Sequence, residues 1–315
     1  VKLHIDGRKT AVNMEKVDES GFFAALVSSK KKLSYTYSVE KVNGEVTEYT
    51  DPYAFANVTK PEDYKAFLAG EEKNAAHIFG AHERTVNGVK GVLFNVWAPK
   101  ALSVSVVGEF NKYDGRVHLM ERIEDTGVFE LFIPGLAAGC GYMYEIKRQG
   151  KGTTRKLDPV SRQISSVPIT ASVVSDENMP DSYAWNDGLW MIKRKKEAGK
   201  KKPVTVYEVS LTDWLKEKSA DELVDFVKQE GYTHVCFLPV AEYLNEEMNG
   251  YSTLGYFAVT HRTGGSDAFK KLVDDCHNAG IGVIIDWNGA YFGTEVKGLY
   301  DFDGADAYGL SLIHI

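Results

Sequence analysis

The chain has 315 residues, of which 43% are hydrophobic and 26% charged, and it carries a formal net charge of -7. That length exceeds a single ordinary core and predicts two or more domains, while no apolar run approaches the ~20 residues a bilayer span needs. The negative balance argues against nucleic acid and anionic membrane as partners, because neither attracts such a surface, and it suits a neutral, hydroxyl-rich ligand.

Residues 1 to about 175 read as short strands separated by turn signals, the pattern of β-sandwiches. FFAALV (22–27), LSYTYSVE (33–40) and EVTEY (45–49) cluster strand formers, with Asn43-Gly44 as a hairpin turn between the last two. GVLFNVWA (91–98), SVSVVGEF (103–110), VFELFI (128–133) and YMYEIK (142–147) follow.

An internal repeat organises these strands. Gly21 aligns with Gly127, Tyr35 and Tyr37 with Tyr142 and Tyr144, and Asp51-Pro52 with Asp158-Pro159, at an offset of about 106 residues. That offset is close to the size of one immunoglobulin-like sandwich, so two tandem sandwiches are expected, the first cut short at its N-terminal end.

Residues 183–202 form a strap, with Trp185 and Trp190 anchoring one end and a solvated Lys-rich run at the other. From Pro203 strands alternate with helices. VTVYEVS (204–210) precedes a helix over 219–231, where Ser219 caps the start and Glu222 completes a capping box. THVCFLPV (233–240) and a long loop to about residue 265 follow, then a helix that Ser266 caps and Gly280 ends. The buried strand GVIID delivers Asp286 to its end, and three strands alternating with two helices predict a parallel sheet.

Polar residues at the C-terminal ends of parallel strands are where α/β barrels place their sites. Glu208 with Ser210, Glu242 and Asp286 occupy such ends, and each alone is more often a loop anchor. Tyr251, in the long loop, could stack on a sugar ring or pack the loop. Cys140, Cys236 and Cys276 are scattered and odd in number, and His234, His261 and His277 stand alone, so neither metal nor cofactor is expected and a reducing, cytoplasmic setting is the reading.

The order of motifs resembles the glycogen (1,4-alpha-glucan) branching enzymes of the alpha-amylase superfamily. VWAPKALSVSVVGEFNKYDGR (96–116) is similar to that family's carbohydrate-binding-like sandwich. VYEVSLTDW (206–214), THVCFLPVAEY (233–243), NGYSTLGYFAVTHR (249–262) and CHNAGIGVIIDW (276–287) look like the first three strands of its catalytic barrel. The resemblance implies a multidomain β plus α/β chain, with two tandem immunoglobulin-like sandwiches followed by the first part of a (β/α)8 barrel.

The boundaries expected are 1–70 and 71–177 for the sandwiches, 178–202 for the linker and 203–309 for the partial barrel. The implied substrate is an alpha-1,4-glucan such as glycogen or amylose, a segment of which moves to a 6-hydroxyl by a retaining mechanism on two carboxylates. Tyr251 matches the tyrosine that stacks on glucose at the cleavage subsite, and Asp286 the aspartate of the first barrel motif. The nucleophile and the acid/base come from later strands, so no catalytic residue falls within this chain and the fragment is expected to be inactive.

Several positions depart from the family pattern. Ser210 and Tyr291 stand where histidine is usual, Tyr243 replaces the histidine of a Glu-His pair, Asn249 replaces Trp, and Tyr113 stands where Trp is usual. A debranching or amylase-type hydrolase and a non-catalytic glucan-binding paralogue are the alternative readings. LSLIHI (310–315) matches the in-frame translation of a transposon end used in DNA libraries and is expected to be adapter read-through.

Overall fold

The computed structural model describes residues 1–30, 33–166, 168–175, 183–289 and 296–305. Tyr291 and the LSLIHI stretch lie outside them.

The first unit is a four-stranded antiparallel sheet in the order Val12–Asn13, Lys2–Ile5, Tyr35–Glu40, Val46–Tyr49, beside a separate ribbon of Glu15–Asp18 and Phe22–Ala24. The strand expected over 22–27 is therefore only three residues long. Among apolar side chains of this sheet only Leu3 and Ile5 are buried, while Phe22, Val46 and Tyr49 are exposed, so the unit has little core of its own. The Asn43-Gly44 turn forms: Gly44 adopts φ 82° and its N–H reaches the Lys41 carbonyl at 2.9 Å.

The second unit is a sandwich. Glu121–Arg122, Val128–Pro134, Val89–Trp97 and Gly80–Val86 make one sheet. Gly152–Lys156, Gly141–Arg148, Ala101–Gly108, Ala171–Val173 and Ile164–Ser165 make the other. Alternate residues such as Phe94, Val96, Val104, Leu131 and Ile146 meet between them in an apolar core.

The repeat has a common chemical motif. Residues two apart on a strand share a face, so both tyrosines of Tyr-x-Tyr can reach one acceptor. Tyr35 and Tyr37 donate to Asp51 Oδ2 at 2.9 and 3.3 Å; Tyr142 and Tyr144 donate to Asp158 Oδ2 at 2.6 and 3.1 Å. In each unit the other carboxylate oxygen accepts the backbone N–H two residues on, from Tyr53 or Val160. The copies differ in burial. Asp158 is 1% exposed, and burial pushes its carboxyl up against the opposing pull of the two tyrosine hydroxyls, whereas Asp51 is only partly covered.

In the strap, Gly188–Glu197 is a helix that sequence reasoning missed. Trp190 stacks on His277 at 5.0 Å, and His277 Nδ1 lies 2.7 Å from Asp187. Trp185 packs edge-on against Tyr183 and stays half exposed, and the lysines face solvent as expected.

Three parallel strands follow, Val206–Val209, His234–Phe237 and Gly282–Ile285, adjacent in chain order. The helices Ala220–Gln229 and Gly265–Asn278 cover one face, burying Leu223, Val227, Phe269 and Leu272 against Val235 and Phe237. Ser219 and Glu222 form the expected capping box. Ser266 does not cap the second helix: Gly264, at φ 86°, precedes the first turn, and Ser266 lies inside it. Gly280 ends the helix at φ 85°.

The long loop contains a hairpin, Ala241–Tyr243 with Thr253–Val259, that was not foreseen. Leu254 and Ala258 from it pack against Leu157, Ile164 and Ala171 of the second sandwich. Residues 296–305 return to that sandwich as well, where Leu299 and Phe302 enter its core. Asp301 meets Arg148 at 2.5 Å and Lys151 at 2.8 Å, and the Lys156 ammonium donates to the Tyr300 carbonyl at 2.7 Å.

Candidate glucan site at the strand ends

The uncovered face of the parallel sheet carries Glu208, Cys236 and Ile284 side by side, since Glu208 pairs with Cys236 and Cys236 with Ile284. Asp286 follows two residues on, its N–H donating to the Phe237 carbonyl at 2.9 Å, which holds it just past the strand end. Ile284 is 40% exposed, so this face is open.

Tyr251 reaches the same rim from the hairpin loop. Asn249 and Gly250 both take positive φ, 48° and 86°, and a Cβ on Gly250 would lie 2.8 Å from the Pro239 carbonyl oxygen. Glycine is thus needed for the turn that swings Tyr251 over the strand ends. There the Tyr251 hydroxyl donates to Asp286 Oδ2. That bond, followed by burial and the charges of Asp286 and Glu208, pushes the phenol up to about 12. Burial and the same two carboxylates raise the Cys236 thiol, so it stays protonated near neutrality. A phenol locked by its hydroxyl presents a fixed ring, and the adjoining carboxylates accept hydroxyl protons, a combination suited to a sugar.

The structure brings Tyr251, Asp286 and Glu208 together but takes Glu242 elsewhere. Glu242 is 3% exposed and accepts from Thr260 Oγ1, the His261 N–H and Arg262 Nη1, at 3.1, 2.9 and 2.9 Å, with His261 Nδ1 at 3.0 Å. Arg262 in turn lies over the Tyr243 ring at 4.4 Å. Glu242 therefore pins the hairpin and is no part of the rim. Its replacement by leucine leaves Arg262 without its buried partner and is expected to cost about 3–5 kcal/mol in urea unfolding; a loss below about 1 kcal/mol would contradict the pinning role.

Ser210 caps a short helix by accepting from the Asp213 N–H at 3.2 Å. Ser210, Tyr243 and Asn249, three of the positions that depart from the family pattern, line one recess together with Thr212 and Lys216. The Tyr243 hydroxyl donates across it to Thr212 Oγ1 at 3.3 Å. This clustering was invisible in the sequence, where a helix and a strand separate Ser210 from Tyr243 and Asn249. Trp287, beside Asp286, was also missed as a rim residue; it is 62% exposed with its ring edge-on to Tyr256. Among the described residues no cluster of His, Cys, Asp and Glu could hold a metal, and no helix is long and apolar enough to cross a membrane.

Comparison with known proteins gives three kinds of similarity. Residues 78–161 match the family model of carbohydrate-binding module 48 (Isoamylase N-terminal domain). In fold, 70% of the chain superposes on 34% of a putative alpha amylase from Salmonella typhimurium, with a TM-score of 0.51 and 24% identity. Over the superposed part the chain shares the fold of that protein, and within the chain a β-sandwich is followed by three parallel strands with helices on one face.

More particularly, the chain is similar in sequence to 1,4-alpha-glucan branching enzymes. It is 39% identical to the 1,4-alpha-glucan branching enzyme GlgB of Methylococcus capsulatus over 94% of its own length and 41% of that protein. It is 40% identical to GlgB of Nitrosococcus oceani over 88% of its length and 38% of that protein, and 36% identical to GlgB of Shewanella baltica over 96% and 42%. The chain spans about two fifths of the length of the curated relatives it matches.

Proposed function

We propose that this chain is the N-terminal part of a 1,4-alpha-glucan branching enzyme, which cleaves an alpha-1,4-glucan and transfers the segment to a 6-hydroxyl. The observation that carries the reading is the match to GlgB proteins along 94% of the chain, and the Tyr251–Asp286 hydrogen bond at the strand ends supports it. In this reading Tyr251 stacks on the sugar at the cleavage subsite and Asp286 fixes the ring. The nucleophilic carboxylate and the acid/base come from later strands, so residues 1–315 alone bind glucan without turning it over. The division into 1–70, 71–177, 178–202 and 203–309 belongs to the same proposal, as does action in the cytoplasm. A hydrolase or a non-catalytic binder is not favoured, since the matching curated relatives named above are branching enzymes.

The test is to express a full-length protein that carries this segment and assay alpha-1,6 linkages formed on amylose. Release of reducing ends without branches would sink the reading. Tyr291 stands where the family has a histidine that donates to the substrate, and a phenol is larger and places its donor differently. Tyr291→His is expected to raise branch formation in that full product, by roughly tenfold or more if a transition-state donor is restored. No gain in rate would refute the assignment.

A further inference from the structure

The two β units are joined over more than a linker. The Tyr53 hydroxyl accepts from the Leu119 N–H at 2.8 Å and lies 3.1 Å from the Leu119 carbonyl, so the ring is fixed although 49% exposed. Phe55 meets Phe132 edge-to-face at 4.8 Å. Glu130 is 1% exposed and accepts the Val58 N–H at 2.6 Å and the Thr59 N–H at 3.2 Å. Between these contacts the units leave a cleft of about 170 Å³, lined by Tyr53, Phe55, Asn57, Glu121, Glu130 and Phe132.

The lining selects among ligands. Glu121 lies opposite Glu130 in the antiparallel register, on an edge strand, and its side chain is exposed. Two carboxylates with no basic residue among the lining side chains repel an anion. A purely apolar guest would desolvate Glu121 and Asn57 without replacing their hydrogen bonds. A neutral polyol ring meets both demands, its C–H face against Tyr53 and Phe55 and its hydroxyls donating to Glu121 and exchanging bonds with Asn57. Tyr113, the position where the family's sandwich usually carries Trp, does not line this cleft; its ring lies under Arg155 at 5.9 Å.

We propose that the cleft between the two β units binds an α-glucan segment, at a place separate from the Tyr251–Asp286 rim. The ligand class rests on the proposed function; the location rests on the cleft. A glucan held there is anchored while another part of the same or a neighbouring chain occupies the rim, which raises its effective concentration.

The test titrates maltoheptaose into the 315-residue chain and into its Tyr251→Ala form, which disables the rim. Glu121→Gln and Asn57→Ala, each placed in the Tyr251→Ala form, are expected to weaken the remaining binding about tenfold, the loss of one good hydrogen bond. Glu121 is exposed, so its amide variant leaves the fold intact and a lost affinity reports the cleft. Unchanged affinity in both variants, or no maltoheptaose binding in the Tyr251→Ala form, overturns the proposal. If instead Tyr251→Ala binds as tightly as the unmodified chain while the cleft variants bind weakly, the rim assignment fails and the cleft stands.

Discussion

Replacing Asp158 by alanine is expected to cost the protein about 3–5 kcal/mol of unfolding free energy, whereas Asp51→Ala costs only about 1 kcal/mol. Both aspartates do the same job for two tyrosine hydroxyls and one backbone N–H. What differs is the fate of those donors once the acceptor is gone. Around Asp158 the two phenols are 1% and 0% exposed, and an abandoned hydroxyl there pays its full desolvation. Around Asp51 the phenols are partly open, and water takes over the bonds. Urea titration followed by circular dichroism separates the two, and equal costs would show that burial does not set the value of this motif. The double variant Tyr142→Phe with Tyr144→Phe should be milder than Asp158→Ala, because it removes the donors along with the need for an acceptor.

Under the proposed function, in a full-length branching enzyme that carries this segment, Asp286→Asn is expected to lower branching kcat by roughly 100-fold, with a smaller effect on KM. The carboxylate holds the Tyr251 hydroxyl and lies beside Glu208 at the strand ends, so the amide changes both the charge and the locking of the ring. Tyr251→Ala removes the stacking platform and should act more on KM, by roughly tenfold. The two losses should be less than additive, since the side chains act as a hydrogen-bonded pair. Full additivity in a double-variant cycle would mean that the pair is not coupled in the working enzyme.

Much of this was legible from residue order. Period-two alternation marked the long strands of the second unit, and the recurrence of Tyr-x-Tyr with Asp-Pro anticipated a shared motif because both halves of the contact are local in sequence. The three parallel strands, Ser219 with Glu222, and Gly280 were legible for the same reason, since strand runs and caps are written within a few residues; the burial expected of the strand before Asp286 was not met, because Ile284 and Ile285 are 40% and 45% exposed. Other features depended on distant contacts. The hairpin carrying Tyr243 forms because Glu242 finds Thr260, His261 and Arg262, and it is stabilised where Leu254 meets Ile164. The helix at Gly188–Glu197 lacks a buried stripe and is held instead by Trp190 on His277. Glu242 read as a rim carboxylate because a strand-end position does not reveal that an arginine will be folded onto it.

Leu299 and Phe302 complete the second sandwich although the strap, both helices and all three parallel strands separate them from its last strand, Ala171–Val173. During synthesis the second sandwich therefore emerges before Leu299 and Phe302, which enter its core only after the parallel strands have also been made. Until then the apolar side chains that these two cover stay open to solvent. A piece cut after the strand Ala171–Val173 lacks both side chains, and residues 296–305 added as a peptide or through a short connector would restore them.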